Sequence, residues 1–347
     1  MNKRELADLV RLNIEKMNSY SSARDQYNIK DTESIYLDAN ESPFENGVNR
    51  YPDNKHYELK TVLSKIKNVQ ESQIVFGNGM DEILDLIVRV FCDPSLDQII
   101  TLPPTYGMYN VIASTNNVEN IEVPLNSDFS INVQKVLSKA SEKTKIIFLC
   151  SPNNPTGNSF KYCDVLKLIN EFDGIIVLDE AYIDFSSNNS LTELINEHDN
   201  LIITQTLSKA YGMAGLRLGM GLSNKKIIDY INKIKPPYNI NSLSEKKVLS
   251  ELKNIQSVKK NIMIVLNEKL KLQTALVNLC FVEKVFNSDA NFLLVKVDDV
   301  KLRCTQLLKN GIIVRDRSND FLCENCLRIT VGTPAQNRFL IKTLITI

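Results

Sequence analysis

The sequence predicts an α/β fold with a large domain on a mainly parallel sheet and a smaller α+β domain after it. Three observations carry that expectation. Apolar runs such as Lys145–Cys150 and Gly174–Leu178 are continuous rather than alternating, as strands covered on both faces of a parallel sheet require. Between about residues 70 and 225 such runs alternate with amphipathic stretches, the pattern of an α/β domain. Pro236-Pro237-Tyr238-Asn239 then breaks the pattern, and the strand-like segments beyond it belong to a different arrangement.

The 347 residues suffice for about two domains. Forty-one basic residues balance forty-one acidic ones, so nothing in the charge favours a nucleic-acid partner. Met1–Lys16 shows no signal-peptide core, and no apolar run approaches the roughly 20 residues of a membrane span, so a cytoplasmic protein is expected. Of the seven cysteines only Cys323 and Cys326 lie close together, and the two histidines, His56 and His198, stand alone. No metal site is expected from that set, and the thiols are expected to be reduced.

In chain order, Leu6, Leu9, Val10, Ile14 and Met17 recur at helical spacing and predict one short helix over residues 5–17. Leu59, Val62, Leu63 and Ile66 predict a second helix after the turn Asn49–Asp53. Ile74-Val75-Phe76 reads as a strand, and Gly77–Glu82 leads from it into a helix with Ile83, Leu84, Ile87, Val90 and Phe91 on one face. A glycine turn into a helix start offers free N–H groups to an anion. Ile99–Leu102 is a strand ending in Pro103-Pro104-Thr105-Tyr106, where the ring of Tyr106 either fills the core or faces a flat ligand. Lys145–Cys150 ends in Ser151-Pro152-Asn153-Asn154-Pro155-Thr156-Gly157, and Gly174–Leu178 ends in Asp179-Glu180-Ala181-Tyr182. A carboxylate at the carboxyl end of a central parallel strand lies where such sheets bind ligands. Helical spacing returns over Glu245–Leu272. Residues 291–297, 311–316 and 326–332 read as strands carrying Arg315 and Arg328, each of which needs an anionic partner: a structural carboxylate or a ligand. Thr333-Pro334 caps a final helix.

The chemistry concentrates in Thr204–Gly219, which follows the strand Leu201-Ile202-Ile203. Hydroxyls at Thr206 and Ser208 flank the amine of Lys209, and Arg217 follows eight residues later. Hydroxyls with an arginine suit a phosphate, and a lysine beside a phosphate suits a Schiff base with pyridoxal phosphate. Glycines 212, 215 and 219 would let the backbone approach something bulky. The turn at Gly79, Met80 and Asp81 would form a second wall of the same phosphate cup. Asp179 would then pair with the pyridine nitrogen, which must stay cationic for the cofactor to act as an electron sink. Asn154 and Tyr182 would reach its phenolic oxygen.

With Ser151–Gly157, Asp179–Tyr182 and Ser208–Gly219 in place, the chain resembles the pyridoxal-phosphate-dependent aminotransferases of fold type I. Tyr20–Arg24, Leu37–Glu41, Asn49–Asp53, Gly311–Asp316 and Leu327–Thr333 make it similar, within them, to the histidinol-phosphate aminotransferases. The resemblance implies that Lys209 holds the cofactor and shuttles the proton, that Tyr106 stacks on its ring, and that Thr206, Ser208, Arg217 and the N–H groups near Gly79, Met80 and Asp81 hold its phosphate. It implies a homodimer in which Tyr51 reaches in from the partner, and a substrate faced by Tyr20, Asn40, Tyr51, Asn154, Arg315 and Arg328. Residues 1–34 would be an arm and part of the small domain, 35–240 the large domain, and 241–347 the small one. The implied reaction is ping-pong transamination between L-histidinol phosphate and 2-oxoglutarate, in histidine biosynthesis. An aromatic amino-acid aminotransferase, a phosphothreonine decarboxylase and a silent cofactor-binding regulator are the alternatives.

Overall fold

The structure is a computed structural model that describes residues 4–20 and 35–347. Strands β1 (Ile74–Asn78), β2 (Gln98–Thr101), β3 (Glu119–Glu122), β4 (Thr144–Cys150), β5 (Ile175–Asp179), β6 (Leu201–Thr206) and β7 (Leu218–Ser223) form one sheet in the order β1-β7-β6-β5-β4-β2-β3. Strand β7 runs antiparallel to both neighbours, and every other pairing is parallel. Successive residues of a strand face opposite ways, so the continuous runs serve two cores at once. Ile146, Phe148, Ile175, Val177 and Ile202 meet the helices Met80–Phe91, Met108–Thr115 and Lys225–Ile234. Ile147, Leu149, Ile176, Leu178 and Ile203 meet the helices Tyr57–Lys67 and Tyr162–Glu171 on the other face.

A second, antiparallel sheet holds β8 (Val282–Val285), β9 (Phe292–Val297), β10 (Arg315–Asp316) and β11 (Cys326–Thr330) in the order β10-β11-β9-β8. Its own core includes Leu272, Leu293, Val295, Leu307, Leu327 and Leu340. The final helix, Pro334–Thr346, starts as expected: the Thr333 and Gln336 side chains each accept from the other's backbone N–H, and Pro334 takes the first turn.

Three expectations need correction. The N-terminal pattern does not make one helix but two short ones, Leu6–Leu9 and Leu12–Lys16, because Val10 and Arg11 are extended and the Arg11 N–H bonds to the Val90 carbonyl. Leu9, Val10 and Ile14 lie in the core of the larger sheet, not with the smaller unit. Of the strand expected over 311–316 only Arg315–Asp316 pairs, while β3, β7 and β8 appear where no strand was expected. At the domain border, the helix Ser242–Leu252 places Val248, Leu249 and Leu252 in the larger core, beside Leu59. The helix after it, Ile255–Leu276, carries the chain to the smaller sheet.

Candidate active site

The carboxyl ends of β1, β4, β5 and β6 lie along one edge of the large sheet, and the residues that follow them surround a cavity of about 610 Å³. Pairing register brings Cys150 opposite Asp179 and Thr206 opposite Gly219. Asp179 ends β5 and is buried. Its neighbour Glu180 points away from the cavity into a separate network with Ser190, Leu191 N–H and Gln205. The alternation of a strand thus assigns one acid to the cavity and the other to structure. Asp179 accepts hydrogen bonds from the Tyr109 hydroxyl (2.6 Å) and the Ala181 N–H (3.0 Å). Burial still raises its pKa from 3.8 to about 6, because those donors only partly offset the loss of water.

Lys209 lies in the loop between β6 and β7, held by a turn from the Gly212 N–H to its own carbonyl. Burial foremost, and then the charge of Arg328, lowers the pKa of its amine, while Asp179 and Asp81 oppose the change. The amine lies 5.7 Å from the centre of the Tyr182 ring. Tyr182 is buried, and its ring meets Phe292 of β9 edge-on at 5.1 Å.

A cup closes one end of the cavity. Thr206 Oγ1 accepts from the Ser208 N–H at 3.1 Å, and the Gly79 N–H donates to the Arg217 carbonyl at 2.8 Å. Gly79 has φ +85°, and a Cβ there would fall 2.3 Å from Arg217 Nη2. A Cβ on Gly219 would fall 2.4 Å from the Met80 nitrogen. The two glycines thus let Arg217 and the start of helix Met80–Phe91 converge. Gly212 and Gly215, by contrast, border open space. The N–H groups of Met80 and Asp81 have no partner within their own helix, by their position in its first turn. The Arg217 guanidinium bonds, among the described residues, only to the Ala214 carbonyl, at 3.4 Å. The guanidinium, with one long bond, and the first N–H groups of the helix thus keep donors to spare at the same place.

Tyr106 forms a side wall, with its hydroxyl 3.1 Å from Asp81 Oδ1 and its ring edge-on to Tyr109 at 5.6 Å. The opposite wall comes from the second sheet. Arg315 and Arg328 face each other across β10 and β11, and Arg328 Nη1 donates to Asn154 Oδ1. Asn153 is fully buried and ties the Asn154 loop to the Pro104 carbonyl (2.8 Å) and to Thr105 (3.1 Å).

The cavity therefore gathers Met80, Asp81, Tyr106, Asn154, Asp179, Tyr182, Thr206, Ser208, Lys209, Arg217, Arg315 and Arg328, all expected, with Gly79 behind Arg217. Three expected residues lie elsewhere in the single chain. Tyr20 lines a separate cavity with His56, Lys60 and Lys235, Asn40 is exposed at φ +54°, and Tyr51 stacks on Tyr238 at 4.5 Å. Ser21–Arg24 fall outside the described residues. Sequence reading missed Tyr109, Cys150, Arg317 and Asp320. Tyr109 sits on an ordinary helix face, and only the fold brings its hydroxyl to Asp179.

The profile of the family described as Aminotransferase class I and II matches residues 19–344. The chain belongs to that family. It is 51% identical to a histidinol-phosphate aminotransferase of Flavobacterium psychrophilum over 99% of each chain. It is 46% identical to one of Parabacteroides distasonis over 98% of each. The fold matches the histidinol-phosphate aminotransferase of Clostridium acetobutylicum (TM-score 0.79, 24% identity, 86% of this chain and 90% of that one). It also matches that of Sinorhizobium meliloti in complex with pyridoxal-5'-phosphate (TM-score 0.78, 22% identity, 86% and 82%). A further match is L-threonine-O-3-phosphate decarboxylase of Porphyromonas gingivalis (TM-score 0.74, 25% identity, 86% and 90%).

The residues present fit the family's cofactor, pyridoxal phosphate. The spare donors of Arg217 and the helix start suit its phosphate, and the buried carboxylate of Asp179 suits its protonated ring nitrogen.

Proposed function

We propose that this aminotransferase transfers the amino group of L-histidinol phosphate to 2-oxoglutarate, yielding imidazole acetol phosphate and L-glutamate, as a step of histidine biosynthesis. Its similarity along the whole chain to histidinol-phosphate aminotransferases supports the class of substrate. The observation that carries it is the pair Arg315 and Arg328, directly opposite on adjacent strands and lining the same cavity as Lys209. Histidinol phosphate has no carboxylate, so the arginines must grip its phosphate, and charge-assisted bonds from two guanidiniums suit that group.

In this reading Ser208, Thr206, Arg217 and the Met80 and Asp81 N–H groups hold the cofactor phosphate. Asp179 holds the proton on the ring nitrogen, and Tyr109 orients Asp179. Asn154 and Tyr182 face the phenolic oxygen, and Tyr106 covers the ring. When bound, the cofactor supplies an electron sink that weakens the donor's Cα–H bond and takes up its amino group. Lys209 is the amine that holds the cofactor's aldehyde carbon, and its Nζ then carries the proton away from the substrate Cα. Its lowered pKa favours the neutral amine that this task needs. Tyr51, Tyr20 and Asn40 belong to the partner-facing surface of a homodimer, where Tyr51 would complete the neighbouring site.

The test is an amino-donor panel with purified, cofactor-loaded protein and 2-oxoglutarate. Histidinol phosphate should exceed phenylalanine and tyrosine in kcat/KM, and dephosphorylated histidinol should be a very poor donor, since it leaves both guanidiniums without their anion. A higher kcat/KM for the aromatic amino acids would make this an aromatic aminotransferase. Release of carbon dioxide from phosphothreonine without transfer would favour the decarboxylase chemistry of the Porphyromonas relative.

A further inference from the structure

Beyond Arg315 and Arg328, the same wall carries a third guanidinium. Arg317 follows β10, with its N–H bonded to the Cys326 carbonyl at 2.9 Å, so its backbone continues the sheet. Its side chain is largely buried, lines the cavity, and pairs through Nη2 with Asp320 Oδ2. A turn from the Asp320 N–H to the Arg317 carbonyl (2.9 Å) fixes that pairing locally. Among the described residues Arg317 Nε is buried with no hydrogen-bond partner, as is Asp320 Oδ2 beside it. A guanidinium that lines a cavity with a donor to spare keeps capacity for an anion besides Asp320. The charge of Arg317 also acts on Arg328 and Tyr182, which places it within electrostatic reach of the substrate end.

The balance of charge is informative. Asp81, Asp179 and Asp320 line the cavity, and among the described residues only Asp320 makes an ion pair with any of Arg315, Arg317 and Arg328. Three guanidiniums against one carboxylate leave two positive charges. A phosphate monoester carries about −1.5 to −2 at pH 7, whereas one carboxylate carries −1. Without Arg317 the same wall would keep Arg315 and Arg328 beside an unpaired Asp320, a weaker match for a doubly charged group.

We propose that Arg317, held in place by Asp320, is a specificity-determining residue that biases the site toward phosphate-bearing donors over carboxylate-bearing aromatic ones. This inference rests on the functional reading above and adds to it a residue that sets the preference. Asp320 is a positioning residue: its pairing keeps the Arg317 side chain along the wall.

Binding of amine-free probes to the cofactor-loaded protein tests this without turnover. The probes are 2-phenylethyl phosphate and 3-phenylpropionate, titrated by calorimetry. Wild type should prefer the phosphate ester by about tenfold or more, the scale of one hydrogen bond to a charged group. Arg317→Gln should bring the two affinities close together, chiefly by weakening the phosphate ester. Arg317→Lys keeps the charge but loses the fork, and should retain most of the preference. A merely structural ion pair predicts instead that both variants lower the melting temperature and leave the preference unchanged, which overturns the proposal. A wild type that prefers phenylpropionate overturns the substrate reading itself, so the two failures are distinct.

Discussion

At the scale of single residues, Asp179 shows a site built at some cost to the cofactor-free chain. Its folded pKa of about 6 lies above the ordinary 3.8, so the protonated form is favoured by the fold. Stability is therefore lost as pH rises from about 4 through 6, and the loss is complete above that window. It amounts to about 3 kcal/mol at neutral pH. Asp179→Asn removes the charge and nearly keeps the shape. The cofactor-free variant should melt at a higher temperature than wild type at pH 7, and the advantage should vanish near pH 4. Turnover should fall about a hundredfold, the effect of losing one preorganised electrostatic partner. Melting curves of both cofactor-free proteins between pH 4 and 8 check the first part, and equal melting at pH 7 would count against it. The lysine follows the same logic with the opposite sign of charge: burial and Arg328 disfavour its ammonium form.

At the scale of elements, the site depends on β7 running back between β1 and β6. That return sets Arg217 beside the start of the helix Met80–Phe91, with Gly219 as the point of closest approach. Gly219→Ala places a methyl group 2.4 Å from the Met80 nitrogen, against backbone that cannot swing aside. Overpacking of this kind typically costs about 1–3 kcal/mol. Because the displaced atoms belong to the phosphate cup, cofactor affinity should also fall, by about tenfold if one charged-group hydrogen bond is lost. Gly215→Ala, in the same connection but bordering open space, should leave affinity near wild type. Absorbance titrations of the two variants with pyridoxal phosphate measure both, and equal affinities would show that the close approach is not what shapes the cup.

At the scale of the whole molecule, the single chain leaves apolar surface uncovered just where the missing site residues lie. Ile35, Leu37 and Phe44 are 85%, 87% and 81% exposed, and Val48 and Tyr51 are also exposed. So many large exposed apolar side chains within one short segment suit a protein–protein contact. The homodimer with shared sites proposed above would account for both facts. Tyr51→Ala and Lys209→Ala, each inactive alone, should partly rescue one another when co-expressed, because one site of a mixed dimer regains both residues. A fully active monomer in sedimentation, with no rescue, would refute sharing.

The sequence by itself was enough for whatever depends on neighbours along the chain. Asp179, Lys209, Asn154 and Arg217 stand at the ends of apolar runs or in the turns that follow, so their chemistry can be read from local strings. The cap at Thr333-Pro334 is local in the same way. Only the tertiary structure decided what depends on distant partners. Strand β7 reads as a glycine-rich loop until its pairing with β1 and β6 makes it a strand, and the short polar edge strands β3 and β8 gain their identity from one neighbour each. The N-terminal pattern splits into two helices because a backbone bond to Val90 outweighs helical continuity over so few residues. Tyr109 meets Asp179 across seventy residues of sequence, and Arg317 faces the same cavity as Lys209 from a different sheet. Hydrogen bonding and charge act through space, so residue type and spacing along the chain determine the chemistry available, and the fold determines which groups share it.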